Sequence, residues 1–380
     1  MTAPDLDQAP RVDLRALAAP PGPEREAALE ALRRGFGELG LVCVTGHDLA
    51  PEAVDGLFDA LGDFVARPDA EKRAQHRPDI WYQRGWTPPN TERAVVAGGQ
   101  PDFKECYFAA PLALDPEAAA LYPELYAANL WPPDLPALEP ALLAVGRRLH
   151  EVGRRLLAGC EEALGLPEGA LVGTLDGAAH VTRALHYLGL APDQVDAGVL
   201  WGEEHTDFNL LTVLGGGRFH DASGRPIPAP GDGSGLFLRT RPTADHPEGR
   251  VVAGRPPEGH LVAQVGQQLE VLTGGRLLAT PHVIRAPRTP GITRSSVAHF
   301  LHVHALATLT PLAPFRSPEA LRAYRPPVLA GTYAIKTLVD IGLAPAEALT
   351  GLGFRHDDRL ALQRALEGPG GAGADGTPAD

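Results

Sequence analysis

The chain has 380 residues, 44% hydrophobic and 21% charged, so it can bury a large core and has the composition of a globular protein. Its formal net charge of -13 repels phosphate backbones and excludes nucleic acid as an expected partner; the acidity itself is read as solubility. Three separated cysteines, Cys43, Cys106 and Cys160, exclude a disulfide framework or zinc ribbon and fit a reducing cytoplasm.

The chain starts Met1-Thr2-Ala3-Pro4-Asp5, with no basic or apolar leader, and no run of about 18 apolar residues occurs. A cytoplasmic protein with no membrane partner is expected. Arg outnumbers Lys, and Ala, Gly and Pro abound, which reads as a GC-rich bacterial genome. Residues 1–10 and 368–380 read as loose tails.

Arg25 to Leu39 is helical in composition, Leu41-Val42-Cys43-Val44 is a short strand, and Pro51 to Phe64 resumes helical spacing. Lys104-Glu105-Cys106-Tyr107-Phe108 reads as a strand. Over 138–165, Leu142, Val145, Leu149, Val152, Leu156 and Cys160 recur every three or four residues, a scaffold helix laid over a sheet. From 180 the pattern breaks into short β-like runs: Val181–Tyr187, Leu210–Leu214, Leu236–Arg239, His260–Val265, Leu269–Leu272, His282–Ala286 and Ser295–Val303. Residues 306–365 turn helical again. The expected fold is mainly β with flanking helices: a jelly-roll core (double-stranded β-helix) at 180–310, an N-terminal α/β cap at 10–120, scaffold helices at 121–179 and C-terminal helices at 311–367.

The chemistry centres on Glu204-His205-Thr206-Asp207-Phe208. On a strand, His205 and Asp207 would point to one face. One imidazole and one carboxylate, joined by a histidine from a distant strand, make a set that suits Fe(II) and leaves positions open for a co-substrate and O2. HxD alone is weak: His356-Asp357-Asp358 repeats it and His246-Pro247-Glu248 nearly does, but both read as surface. His282, in Pro281-His282-Val283-Ile284, is the candidate third ligand. Arg294 and Ser296 share a strand face and together require an anion, which a carboxylate satisfies.

Taken in order, these motifs make the chain resemble the isopenicillin N synthase-like group of Fe(II)/2-oxoglutarate oxygenases. Gly35-Phe36-Gly37-Glu38-Leu39-Gly40, Val44-Thr45-Gly46-His47, Arg84-Gly85-Trp86, Lys104-Glu105 and Leu185-His186-Tyr187 carry the resemblance, with Gln268-Leu269-Glu270-Val271-Leu272-Thr273 and the site residues. It implies that His205, Asp207 and His282 hold the iron, that Arg294 and Ser296 bind the distal carboxylate of 2-oxoglutarate, and that Tyr187 contacts a carboxylate near the iron. It implies oxidation of an unactivated C–H bond of a small molecule, by hydroxylation, desaturation or cyclisation, in bacterial secondary metabolism. An Asp-ligated iron vacates no site for chloride, which disfavours halogenation.

The chain departs from the family at Leu185-His186-Tyr187-Leu188, where members often read Asn-Tyr-Tyr-Pro, and at Gly266-Gln267, where many read Gly-Asp. Residues 215–235 read as an insertion, either a surface loop or a lid. Trp81, Tyr82, Trp86, Trp201, Phe208 and Phe300 are candidates for a pocket, with ordinary core as the alternative; Glu203 and Glu204 read as exposed. His302 and His304 continue the Arg294–Ser296 face, as hydrogen-bonded edge residues or as ligands of an acidic substrate. Three rival readings remain: an oxidase of the same fold that uses no 2-oxoglutarate, a non-catalytic barrel binding protein, and, disfavoured for want of a positioned base, a zinc hydrolase. Oligomeric state is not legible.

Overall fold

The strands Val181–Tyr187 and Thr293–Leu301 pair antiparallel, with Arg183 opposite Ala298 and Tyr187 opposite Arg294. Because side chains alternate across a strand, each strand sends one set of residues to a helical layer and the other to an interior cavity. The rest of the architecture extends this pair.

The computed structural model describes residues 9–91, 103–241, 247 and 249–351. Its strands are β1 (Arg11–Asp13), β2 (Leu41–Thr45), β3 (Gly85–Thr87), β4 (Lys104–Ala109), β5 (Val181–Tyr187), β6 (Leu200–His205) and β7 (Leu211–His220). They continue with β8 (Pro226–Ile227), β9 (Gly235–Arg239), β10 (Val251–Ala253), β11 (Leu261–Val265), β12 (His282–Arg285) and β13 (Thr293–Leu301). A large sheet runs β1-β2-β11-β7-β13-β5-β4-β3, with β8 on β7; a small one runs β10-β9-β12-β6. The sheets face each other where Trp201 and Ile284 meet Leu185, Tyr187 and Ala298. A second apolar contact, of Leu236 and Leu238 with Leu41, Cys43 and Val262, closes the other end. This is the expected jelly roll. The N-terminal strands are knitted into it: β2 pairs with β11 at one end of the large sheet and β4 with β5 at the other.

The outer face of the large sheet carries helices α1 (Pro23–Arg34), α2 (Pro51–Val65) and α3 (Leu138–Ala163). The expected face of α3 is the one buried, through Leu142, Val145, Leu149, Val152 and Leu156, each worth about 1.5–3 kcal/mol of apolar burial. Gly153 lets the helix approach, since a Cβ there would come within 2.5 Å of Leu301. The end of the first helix differs from a plain cap: Gly35–Leu39 is a π-helical turn closed by Gly40 at φ 72, where a Cβ would meet the Leu278 carbonyl.

Two expectations are corrected. Leu269–Leu272 is not a strand but part of helix α4 (Gln267–Leu272). Leu269 and Leu272 are buried three residues apart, a helical period that a four-residue apolar run cannot distinguish from a strand. Residues 215–220 are no insertion: β7 runs through Gly215-Gly216-Gly217 to His220, with Gly217 opposite Ser296 and His220 opposite Thr293 on β13. The glycines are there for space, not for flexibility. A Cβ on Gly215 would lie 2.6 Å from Val297, and one on Gly217 would lie 2.7 Å from the Arg294 guanidinium. β8 then folds back on β7 as a hairpin, and of residues 215–235 Gly216 lines the central cavity. Beyond 306 the chain forms helices Pro318–Ala323, α5 (Ala330–Asp340) and Glu347–Gly351.

Candidate metal centre

Strands β6 and β12 pair antiparallel with His205 opposite His282, their ring centroids 4.3 Å apart. Asp207 does not arrive by strand alternation, as the sequence suggested, because β6 ends at His205. A loop brings it in, and the first turn of α4 fixes that loop. Backbone N–H groups of Gly266, Gln267 and Gln268 donate to the carbonyls of Leu210, Asp207 and Asn209, at 3.0, 2.8 and 3.1 Å. Helix N-termini carry N–H groups with no partner inside the helix, and here the loop supplies their acceptors. One donor atom from each of His205, Asp207 and His282 then lies within 4.8 Å of the other two.

The atoms facing away from this point are held. His205 Nδ1 donates to the Glu203 carbonyl at 2.7 Å, which leaves Nε2 as the free lone pair. His282 Nδ1 faces the Gln264 side-chain amide at 3.3 Å and the Thr280 carbonyl at 3.5 Å. Thr212 Oγ1 donates to Asp207 Oδ2 at 2.5 Å, while Oδ1 stays 3.7 and 3.8 Å from the two Nε2 atoms. Burial opposes the charged form of Asp207, but His282, His205, the Thr212 hydrogen bond and Arg183 outweigh it and lower its pKa. Burial first, then His205, pushes His282 down to about 4. A carboxylate beside the neutral His282 imidazole is the protonation state a divalent cation requires of those two groups. Two imidazole nitrogens and one carboxylate oxygen on one side of a point are a donor set that fits Fe(II).

The centre opens into a cavity of about 720 Å³ between the two sheets. Arg294 and Ser296 line it from β13 and Tyr187 from β5. The Arg294 guanidinium sits over the Tyr187 and Phe219 rings, 5.5 and 5.6 Å from their centroids. It makes no hydrogen bond or ion pair among the described residues, and its Nε is buried without a partner. Desolvation lowers its pKa.

Of the expected pocket aromatics, Phe208 and Phe300 line the cavity, whereas Trp81, Tyr82, Trp86 and Trp201 do not. Trp201 fills the space between the sheets, and the Trp86 indole donates to Glu105 Oε2 at 2.7 Å. Glu203 and Glu204 are half-buried on the cavity wall, not exposed, and Glu204 pairs with Arg239 at 3.0 Å. His304 is the hydrogen-bonded edge residue, 3.0 Å from Asp115, while His302 lines the cavity. They part because β13 ends at Leu301 and the period-two rule ends with it. His356 and its neighbours, like His246 and Glu248, lie outside the described residues. Thr212, Gln264 and Gln267 carry no signal in the sequence that marks them. Lys104 and Arg183 do: their strand alternation with Phe108 and Tyr187 places them on the cavity face, and sequence reasoning missed them.

Two family models match the chain: residues 9–134 match one described as non-haem dioxygenase in morphine synthesis N-terminal, and residues 180–303 match the 2OG-Fe(II) oxygenase superfamily. A 2-oxoglutarate-dependent dioxygenase from Aspergillus rugulosus is 27% identical over 77% of this chain and 87% of that protein. Validamycin A dioxygenase from Streptomyces hygroscopicus subsp. limoneus is 26% identical over 97% of this chain and 95% of that protein. Among solved structures, a full-length Neurospora crassa protein in complex with alpha-KG superposes with a TM-score of 0.68, 19% identity, and coverage of 87% of this chain and 95% of that one. A 2OG-Fe(II) oxygenase family protein from Caulobacter crescentus gives 0.68, 23%, 87% and 98%. These structural likenesses show the fold.

Proposed function

Because the chain belongs to the 2OG-Fe(II) oxygenase superfamily, whose members use Fe(II), 2-oxoglutarate and O2, we propose that His205, Asp207 and His282 hold its iron, that Arg294 and Ser296 receive the far carboxylate of 2-oxoglutarate, and that Tyr187 contacts a carboxylate near the iron. The enzyme is a 2-oxoglutarate-dependent dioxygenase. The observation that carries the residue assignment is Arg294: a half-buried side chain in the same cavity as the triad, its Nε buried without a partner and its guanidinium with no acceptor among the described residues. A buried charge is stable only when paired, and a carboxylate matches its fork.

When bound, the iron supplies O2 chemistry coupled to oxidative decarboxylation of 2-oxoglutarate to succinate and CO2. The rest is the work of side chains. Glu203 holds His205 so that Nε2 faces the site, and Thr212 holds Asp207 by one oxygen, leaving the other for the metal. Ser296 adds a hydroxyl donor beside Arg294, and the Tyr187 and Phe219 rings fix the plane of its fork. Phe208 and Phe300 keep part of the cavity wall apolar, which limits bulk water near the reacting groups. The reaction we propose is oxidation of an unactivated C–H bond of a small molecule, by hydroxylation, desaturation or cyclisation. The long match to validamycin A dioxygenase supports a place in bacterial secondary metabolism.

The test is O2 uptake with succinate quantified in parallel. Succinate formation that depends on 2-oxoglutarate and falls in Arg294→Gln is expected. O2 uptake with substrate but without succinate would instead support the oxidase reading and contradict ours.

A further inference from the structure

Helix α4 carries two side chains that each join a ligand-bearing segment to the C-terminal wall of the cavity. Gln267 Nε2 donates to Thr206 Oγ1 at 2.5 Å, and Gln267 Oε1 accepts from the Tyr333 hydroxyl on α5. Thr206 stands between His205 and Asp207 in the chain. Three residues on, Glu270 repeats the arrangement. Its Oε2 accepts the backbone N–H of Ala279 at 2.7 Å, three residues before His282, and its Oε1 accepts the Tyr324 hydroxyl at 2.9 Å. Thr206, Gln267, Tyr324 and Tyr333 all line the cavity.

The wall that these bonds reach lies at the far end from Arg294. α5 begins against the segment that follows β13: the N–H groups of Ala330 and Gly331 donate to the carbonyls of Ala307 and Ala305, at 2.9 and 3.0 Å. Arg294 is the second residue of β13 and Leu301 its last, so about 23 Å of strand separates them. α5 itself is two-faced. Ala334, Ile335 and Leu338 are buried in an apolar cluster with Tyr122 and Tyr126. Tyr333, Lys336, Thr337 and Asp340, spaced three and four apart, line the cavity.

We propose that Gln267 is a positioning residue that couples this wall to the metal centre. A primary substrate seated beyond 2-oxoglutarate packs against α5 and holds Tyr333; Tyr333 holds the Gln267 amide; the amide fixes Thr206 and with it the loop that presents Asp207. The proposal rests on the reading above, in which His205, Asp207 and His282 hold the metal and Arg294 takes 2-oxoglutarate. The backbone bond from the Gln267 N–H to the Asp207 carbonyl, 2.8 Å long, sets where the loop lies. The side chain, satisfied by a hydroxyl on each side, makes the loop respond to α5. Such coupling is reciprocal, so metal binding orders α5 by the same free energy by which an ordered α5 favours the metal.

The test uses the full-length chain titrated anaerobically with Co(II), reading affinity, visible absorption and amide hydrogen exchange. Tyr333→Phe deletes one hydroxyl. Gln267→Met keeps the length of the side chain and loses both of its hydrogen bonds, with the backbone bond to Asp207 left in place. Both variants are expected to bind Co(II) roughly 5-fold or more weakly, the lower end of typical coupling between sites, and to show altered ligand-field bands. Co(II) is expected to slow exchange over residues 330–340 in the wild type and not in Gln267→Met. Thr332→Val is the control, because it removes the 2.9 Å hydrogen bond from the same helix to Tyr122, and neither residue lines the cavity. It should lower stability while leaving Co(II) affinity, absorption and protection as in the wild type. Wild-type affinity and absorption in both Tyr333→Phe and Gln267→Met overturns the proposal. An equal change in Thr332→Val also overturns it, since the effect is then one of helix stability alone. Asp207→Ala, measured alongside, separates the two readings. Wild-type-like Co(II) binding there defeats the ligand assignment itself, whereas lost binding there with silent Tyr333→Phe and Gln267→Met defeats the coupling alone.

Discussion

The two faces of the large sheet use the same strands and the same residue types to opposite ends. On the outer face, His299 of β13 is fully buried, with Nδ1 2.9 Å from Thr182 Oγ1 and Nε2 3.2 Å from His150 Nδ1 on α3. Each of its ring nitrogens has a partner within the fold. On the inner face, the arginine on that strand, Arg294, has no acceptor among the described residues, and the Nε2 atoms of His205 and His282 point at a common centre. A polar group in the interior is tolerated when its partners are built in, so the groups left without partners mark where a ligand completes the structure. If that contrast is correct, inner-face substitutions change binding and outer-face substitutions change stability.

The sharpest break should come at the centre. Asp207→Ala is expected to lower metal affinity by well over ~10²-fold, since even outer partners of metal ligands are worth roughly 10–100-fold. Metal titration with the fold monitored by circular dichroism checks it. Arg294→Gln should weaken 2-oxoglutarate by roughly 30-fold or more, the cost of leaving a carboxylate unpaired. Gly217→Ala should act in the same direction, because its Cβ would displace the guanidinium. A smaller effect, about 10–100-fold on metal affinity, is expected from Thr212→Val, which frees Asp207 Oδ2. On the outer face, Leu149→Ala should cost about 2–5 kcal/mol in chemical denaturation while leaving metal affinity as in the wild type.

The smallest effect is graded by pH. His150 is pushed down to about 4, by burial first and then by Arg154, and His180 and His299 lie well below the ordinary histidine range, chiefly through burial. These groups stay neutral in the fold, but the unfolded chain protonates them near pH 6.5. The unfolded state therefore binds more protons below that pH. Stability should be fully present above pH 6.5 and fall as pH drops toward 4, by on the order of 1 kcal/mol per unit for each group. His299→Gln should flatten the slope.

Much of this contrast is legible in the sequence. The period of Leu142, Val145 and Leu149 gives the outer helix its buried face, and strand alternation places Arg294 and Ser296 together. What fails are rules carried past the end of an element. Alternation makes His205 and Asp207 strand neighbours, but β6 stops at His205 and the α4 backbone sets the loop. His302 and His304 separate because β13 stops at Leu301. Three glycines read as a loop because nothing in their order announces Val297 and Arg294 pressing on the strand. The Gly266-Gln267 departure is also more than a turn. Gln267 bridges Thr206, at 2.5 Å, and the hydroxyl of Tyr333 on α5, a long-range contact no local pattern reveals.

The central claim is that the inner face is completed by a metal ion held at His205, Asp207 and His282. Anaerobic isothermal titration of Mn(II), a redox-silent surrogate, into the wild type, Leu149→Ala and Asp207→Ala tests it most directly. One tightly bound ion per chain is expected in the first two and none in the third. Wild-type-like binding in Asp207→Ala would contradict it.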